Sequence, residues 1–229
     1  MRTVLFWDFD GTLAEAPHIW SHTLHRVLLE VAPECGITIA DIRRYTPKIF
    51  PWDTPYDDHT DAIYGDWWRH MEAQFFDVYQ DLGISEAASR IAVGRVRPHL
   101  IDPANYRLYP DTVKTLSRCR EMGCENYILS NNYPELPEVA HALGLADLVS
   151  GFAVSAHIGY DKPRQELFTY AKQLAGDADR YYMIGDNPVA DIEGGKAAGM
   201  YTILVHRELS CKVDYFCKDL MMIPSIVLL

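Results

Sequence analysis

Two aspartates one residue apart follow an apolar run near the N-terminus, in Val4-Leu5-Phe6-Trp7-Asp8-Phe9-Asp10-Gly11-Thr12-Leu13. The run reads as a buried strand that delivers both carboxylates into a glycine turn. If the extended conformation continues, Asp8 and Asp10 share a face and Phe9 turns away into packing. Two like charges so close call for a cation between or beside them. Gly11 releases the backbone from the strand, and Thr12 offers a hydroxyl and an amide to whatever the carboxylates hold.

Three further groups stand at comparable places. Ser130-Asn131-Asn132 follows the short apolar run Tyr127-Ile128-Leu129, Lys162-Pro163 precedes a helix, and Gly185-Asp186 ends the run Tyr181-Tyr182-Met183-Ile184, with Asp191 five residues beyond Asp186. Asp-x-Asp-Gly-Thr-Leu followed in this order by the Ser, the Lys-Pro and the Gly-Asp resembles the four motifs of the haloacid dehalogenase superfamily of phosphatases and related enzymes. The resemblance covers the chain apart from a helical interior and the tail. It implies that Asp8 is a nucleophile forming an aspartyl-phosphate and that Asp10 protonates the leaving alcohol and later activates water. It also implies that the Ser130 hydroxyl, with amides of the Asp10-Gly11 turn, Thr12 and Asn131, binds phosphoryl oxygens, and that Lys162 offsets charge on nucleophile and phosphate. Mg²⁺, which takes oxygen ligands and keeps several waters, is expected on Asp8, Asp186 and the carbonyl of Asp10, with the part played by Asp191 left open. The dehalogenases of the superfamily lack an acidic residue at the place of Asp10, so its presence speaks for phosphoryl transfer.

The elements that must position these groups are legible as an α/β pattern. From Tyr109 onward, short apolar runs alternate with helical stretches closed by Gly123, Gly144 and Gly199, which predicts a Rossmann-like parallel sheet with ligands at the carboxyl ends of its strands. A last strand is expected over Val213 to Cys217, and a docking turn at Leu220, Met221 and Met222. Between about Ala14 and Asn105 the periodicity is helical. One helix carries Trp20, Leu24, Val27, Leu28 and Val31 on one face. A second runs from Asp61 to about Leu82, and a third starts at Ser85 and ends at Pro98, with a loop over Thr46 to Thr60. The expected organisation is therefore a core of residues 1–13 and 106–229 with an all-helical cap of residues 14–105. His18 and His22, on the side of the first cap helix away from its apolar stripe, are the cap candidates for contact with a substrate.

The totals limit the functions. With 229 residues, 48% hydrophobic content and a formal net charge of -11, the chain fills a core easily and lacks the basic surface that nucleic acid polymers or anionic lipid require. No apolar run is long enough to span a membrane and no leader precedes the first strand, so a cytoplasmic protein is expected. Five cysteines without metal-site spacing read as reduced thiols. The expected function is a Mg²⁺-dependent phosphomonoesterase acting on a small phosphorylated metabolite, whether nucleotide, sugar phosphate or phosphoglycolate. A phosphomutase of the β-phosphoglucomutase type and a non-catalytic phosphate-binding domain are the alternatives. The oligomeric state is not encoded in any pattern found.

Overall fold

The computed structural model describes residues 1–46, 49–54, 66–208 and 212–228. Strand β1 (Thr3–Trp7) is buried along its whole length, which is why it reads as an unbroken apolar run. A short β2 (Ala14–Glu15) leads into helices α1 (Ile19–Val31) and α2 (Ile39–Arg43), a single 3₁₀ turn at Pro51–Asp53, and helices α3 (Trp67–Asp81) and α4 (Glu86–Leu100). The chain returns through β3 (Arg107–Leu108), antiparallel to β2. Then follow α5 (Thr112–Glu121), β4 (Cys124–Ser130), α6 (Leu136–Ala142), β5 (Gly151–Val154), α7 (Ser155–Ile158) and α8 (Gln165–Ala175). The order closes with β6 (Arg180–Gly185), a π-helical turn at Pro188–Glu193, α9 (Gly194–Ala197), β7 (Tyr201–Val205), β8 (Tyr215–Cys217) and α10 (Ile223–Ile226).

The main sheet has six strands in the order β5-β4-β1-β6-β7-β8, all parallel. β1 lies between β4 and β6, with Trp7 opposite both Ile128 and Ile184, so the ends of three motif-bearing strands are level. From β1 the chain builds outward through β4 to β5, then crosses to β6 and builds outward to β8, and the crevice beyond the carboxyl ends at such a reversal is where ligands of these sheets bind. Alternation along β1 divides the core. Leu5 and Trp7 face one apolar cluster, while Val4 and Phe6 pack with Leu167, Phe168 and Met183 on the other side. The indole of Trp7 keeps its N–H satisfied by donating to Asn126 Oδ1 at 3.1 Å.

The helices between β2 and β3 follow the expected stripes. Leu24, Val27 and Leu28 of α1 are fully buried, as are Met71, Phe75 and Tyr79 of α3, and Tyr79 donates its hydroxyl to Leu24 O at 2.7 Å. Two boundaries differ from the sequence reading. Helix α4 is capped by Ser85 as expected but runs past Pro98 to Leu100, because the bond that Pro98 removes would end on the carbonyl of Gly94, an exposed residue whose carbonyl water can satisfy. The described part of α3 starts at Trp67, capped by the Asp66 carboxylate, and the expected start at Asp61 lies outside the described residues. Helix α2 was not expected; the Thr38 and Asp41 side chains that form its capping box were its sequence signal. Among the described residues no helix is long and apolar enough to cross a membrane.

Candidate active site

The carboxyl ends of β1, β4 and β6 converge on a cleft of about 300 Å³ whose walls include Asp8, Asp10, Ser130, Asn131, Lys162, Asp186, Asp191 and Arg207. Its organising ion is the buried ammonium of Lys162, which donates to Asp8 Oδ1 at 2.8 Å, Asp191 Oδ1 at 2.6 Å and the carbonyl of Leu129 at 2.9 Å. Three donors thus meet three acceptors, which is the condition for keeping an ammonium at 2% exposure. Burial alone would push its pKa down, but Asp191 and Asp8 outweigh that and hold it above the ordinary lysine range. Asn131 fixes the backbone that carries the lysine, accepting from Lys162 N at 2.7 Å and donating to Lys162 O at 3.0 Å.

Asp8, Asp186 and Asp191 each place a carboxylate oxygen within 4.8 Å of the others. Burial, then repulsion from Asp8, raises the pKa of Asp186. Burial pushes the Asp191 carboxyl up as well, against the pull of Lys162. Asp191 sits in the π-helical turn, and its second oxygen accepts from Asn187 N at 2.9 Å. Gly185 is what admits it: a Cβ there would stand 2.1 Å from Asp191 Oδ2. Gly185→Ala is therefore expected to lower stability by about 3 kcal/mol or more, through displacement of a buried ion pair; chemical denaturation measures it, and a neutral effect would show that the turn can yield.

Asp10 stands apart from that cluster. Its Oδ2 accepts from Asn132 Nδ2 at 2.6 Å, and Asn132 is itself held by Tyr133 N and Ser155 Oγ. Asp10 is exposed as a residue, while its carboxyl is crowded by the walls of the cleft. Lost hydration, followed by repulsion from Asp8, pushes its pKa up to about 7. A carboxyl tuned to that range can both give and take a proton near neutrality.

Not every residue expected at the site lines the cleft. Gly11 has φ +83° and its amide donates to Ala14 O at 2.8 Å, closing the turn. Thr12 is fully buried, its amide directed at Phe9 O, and among the described residues its hydroxyl has no hydrogen-bond partner. Neither lines the cleft, because the tight turn after β1 consumes the two amides; what Gly11 provides instead is room, since a Cβ there would press on the Asp186 carboxylate at 2.9 Å. His18 and His22 are likewise absent from the lining, and His22 bonds to Arg43. Conversely, Asn132 and Arg207 were missed. Asn132 closes the Ser130-Asn131-Asn132 run. Arg207 follows the apolar strand β7 as the other motifs follow theirs, which was the available signal. Its Nε and Nη2 both lie 2.7 Å from Asp186 Oδ2. The preceding His206 anchors it, with φ 59°, ring nitrogens 3.0 Å from Thr12 O and 3.1 Å from Lys218 O, and the ring stacked on Tyr109.

A family model of haloacid dehalogenase-like hydrolases matches residues 2–199. The chain belongs to this family. Among its relatives, a glyceraldehyde 3-phosphate phosphatase from Methanothermobacter thermautotrophicus is 24% identical over 219 residues, 92% of this chain and 88% of that one. A phosphoserine phosphatase from Thermus thermophilus is 35% identical over 106 residues, 45% of this chain and 43% of that enzyme. The fold is shared with a 2-haloacid dehalogenase from Pseudomonas syringae, at TM-score 0.74 and 17% identity over 100% of this chain and 99% of that one. It is shared also with a HAD phosphatase from Thermococcus onnurineus, at 0.69 and 21% over 99% and 98%. The Rossmann-like α/β sheet expected from the sequence is thus the sheet of the family.

Proposed function

We propose that this hydrolase is a Mg²⁺-dependent phosphomonoesterase of small phosphorylated metabolites, with residues 14–105 serving as a helical cap over the cleft. The observation that carries this reading is the pairing of Lys162 with Asp8 beside an independently held Asp10. Lys162 holds Asp8 Oδ1, and among the described residues no hydrogen bond reaches Oδ2, the oxygen free to attack phosphorus. Asp8 displaces the alcohol and becomes an aspartyl-phosphate, while Asp10, aimed by Asn132, gives its proton to the departing oxygen. Asp10 then takes a proton from water as it attacks the phosphoaspartate, returning Asp8 and releasing phosphate. Ser130, at the end of β4, offers its hydroxyl to the phosphoryl oxygens.

The donor set suits Mg²⁺: three carboxylates grouped closely enough to share an ion, and oxygen atoms alone. Asp8 and Asp186, with the Asp10 carbonyl, would hold it, and Asp191 would act through Lys162. When bound, the ion offsets the negative charge of nucleophile and phosphate. The acidic residue at position 10 supports phosphoryl transfer over dehalogenation, and relatives named for glyceraldehyde 3-phosphate and phosphoserine support a small phosphorylated substrate. Free Cys35, Cys119, Cys124 and Cys217 fit a reducing, cytoplasmic setting; Cys211 lies outside the described residues.

Release of phosphate from p-nitrophenyl phosphate tests the reading. Activity should vanish with EDTA and return with Mg²⁺; full activity in EDTA, or none with Mg²⁺ against a panel of phosphorylated metabolites, would refute it. Arg207 adds a prediction about the ion. A guanidinium against Asp186 Oδ2 repels a dication nearby, so Arg207→Ala should tighten Mg²⁺ binding about tenfold. Calorimetry on the free protein reads this directly, and weaker binding would mean that the arginine serves mainly to orient Asp186.

A further inference from the structure

A second cavity, of about 380 Å³, shares no lining residue with the catalytic cleft. It is bounded by His22, His25 and Arg26 of α1, by Ile39 of α2, and by Pro17 and Asn105, and no carboxylate lines it. Arg26 lines the cavity, and Arg43, which does not, bonds its lining residue His22. Arg26 Nη2 lies 2.8 Å from His99 Nδ1, and Arg43 Nη2 lies 3.0 Å from His22 Nε2. Neither meets a carboxylate among the described residues, although the chain carries 32 acidic against 21 basic side chains and Arg2, Arg44, Arg90 and Arg107 each have one. Glu30 reaches His99 only at Nε2, the nitrogen away from Arg26.

A guanidinium only donates, so each facing imidazole nitrogen is an unprotonated acceptor. Neutral His22 therefore carries its proton on Nδ1, a further donor. Partial desolvation, then the charge of Arg43 and the nearby imidazoles of His18 and His25, keeps its pKa below the ordinary histidine range. His25 Nε2 lies 3.0 Å from Ile37 O. The cavity thus combines uncompensated positive charge, several donors and the apolar side chains of Ile19 and Ile39. Fork-shaped donors of this kind are matched by phosphate oxygens, and the apolar wall suits an organic remainder. Pro17 lies two residues beyond β2 and Asn105 two before β3, so the cavity sits where both connections between sheet and helices pass.

We propose that this cavity is a second, non-catalytic anion site that takes a small phosphorylated compound on Arg26, with the guanidinium of Arg43 contributing from beside the lining residue His22. Pyrophosphate titrated calorimetrically into the metal-free protein in EDTA is the test, since without a divalent cation the acidic cleft repels the probe. The expected result is one saturable site, weakened at least about tenfold when Arg26→Gln and Arg43→Gln are combined, partly weakened by either alone, and unchanged by Ser130→Ala. Both arginines are exposed, and circular dichroism of the single variants separates loss of binding from loss of fold. No saturable binding, or a site indifferent to both arginines but lost with Ser130→Ala, would overturn the proposal.

Discussion

Asp8→Asn is expected to remove turnover by about four orders of magnitude or more, because an amide is a poor nucleophile and no neighbouring carboxylate stands in its place. The fold should survive. Lys162 keeps Asp191 at 2.6 Å and the Leu129 carbonyl at 2.9 Å, and the amide oxygen of the substituted side chain can still accept the third bond. Steady-state hydrolysis of p-nitrophenyl phosphate beside a thermal melt measures both. Residual activity near wild type in a folded variant would remove Asp8 as nucleophile and with it the aspartyl-phosphate.

The second large effect concerns Asp10→Asn. General acid-base catalysis is worth about 10² to 10⁴ in rate, and the loss should fall on alkyl phosphates, whose leaving alkoxide needs a proton. With p-nitrophenyl phosphate the first step needs little help, whereas attack by water still needs a base. The variant should then release a burst of nitrophenol and stall as phosphoenzyme. Equal steady-state rates for wild type and variant would contradict the role. A pH arm is independent of turnover. In the metal-free protein the Asp10 pKa is raised from 3.8 to about 7, so between those values the folded state holds a proton that the unfolded chain releases. Wild-type stability should consequently fall relative to Asp10→Asn as pH rises through that window, and the gap should close below it.

The backbone of the site was legible because most of its polar groups sit at the ends of apolar runs, and a parallel sheet aligns those ends. Asp8, Ser130 and Asp186 could be placed together on that ground, Lys162 only through the resemblance of Lys162-Pro163 to its motif, and all four line one cleft. The roles of Gly11 and Thr12 were not legible in the same way, because whether a turn amide faces a ligand or a carbonyl of the turn itself depends on how tightly the turn closes. Asn132 and Arg207 act through side chains whose partners are more than a dozen residues away in sequence, Asp10 for one and Asp186 for the other, and no local pattern reports such a pairing. The π-helical turn that seats Asp191 also escaped, since Pro188–Glu193 and the short helix after it bury a single large apolar side chain, Ile192, too few to report a period. Helix boundaries such as Pro98 failed because solvent exposure of the freed carbonyl, rather than the proline itself, decides whether a last turn survives.

Glu135, just before α6, is gripped from α3 and α4: Trp68 Nε1 donates to both its oxygens at 2.9 and 3.0 Å, and Arg97 pairs with it while lying over the same indole. Only two residues separate it from Asn132, which aims Asp10. A tilt of α3 and α4 would therefore tug on the segment that holds the Asp10 carboxylate through Asn132, so that their position and the bearing of that carboxylate are geared through one short stretch of main chain.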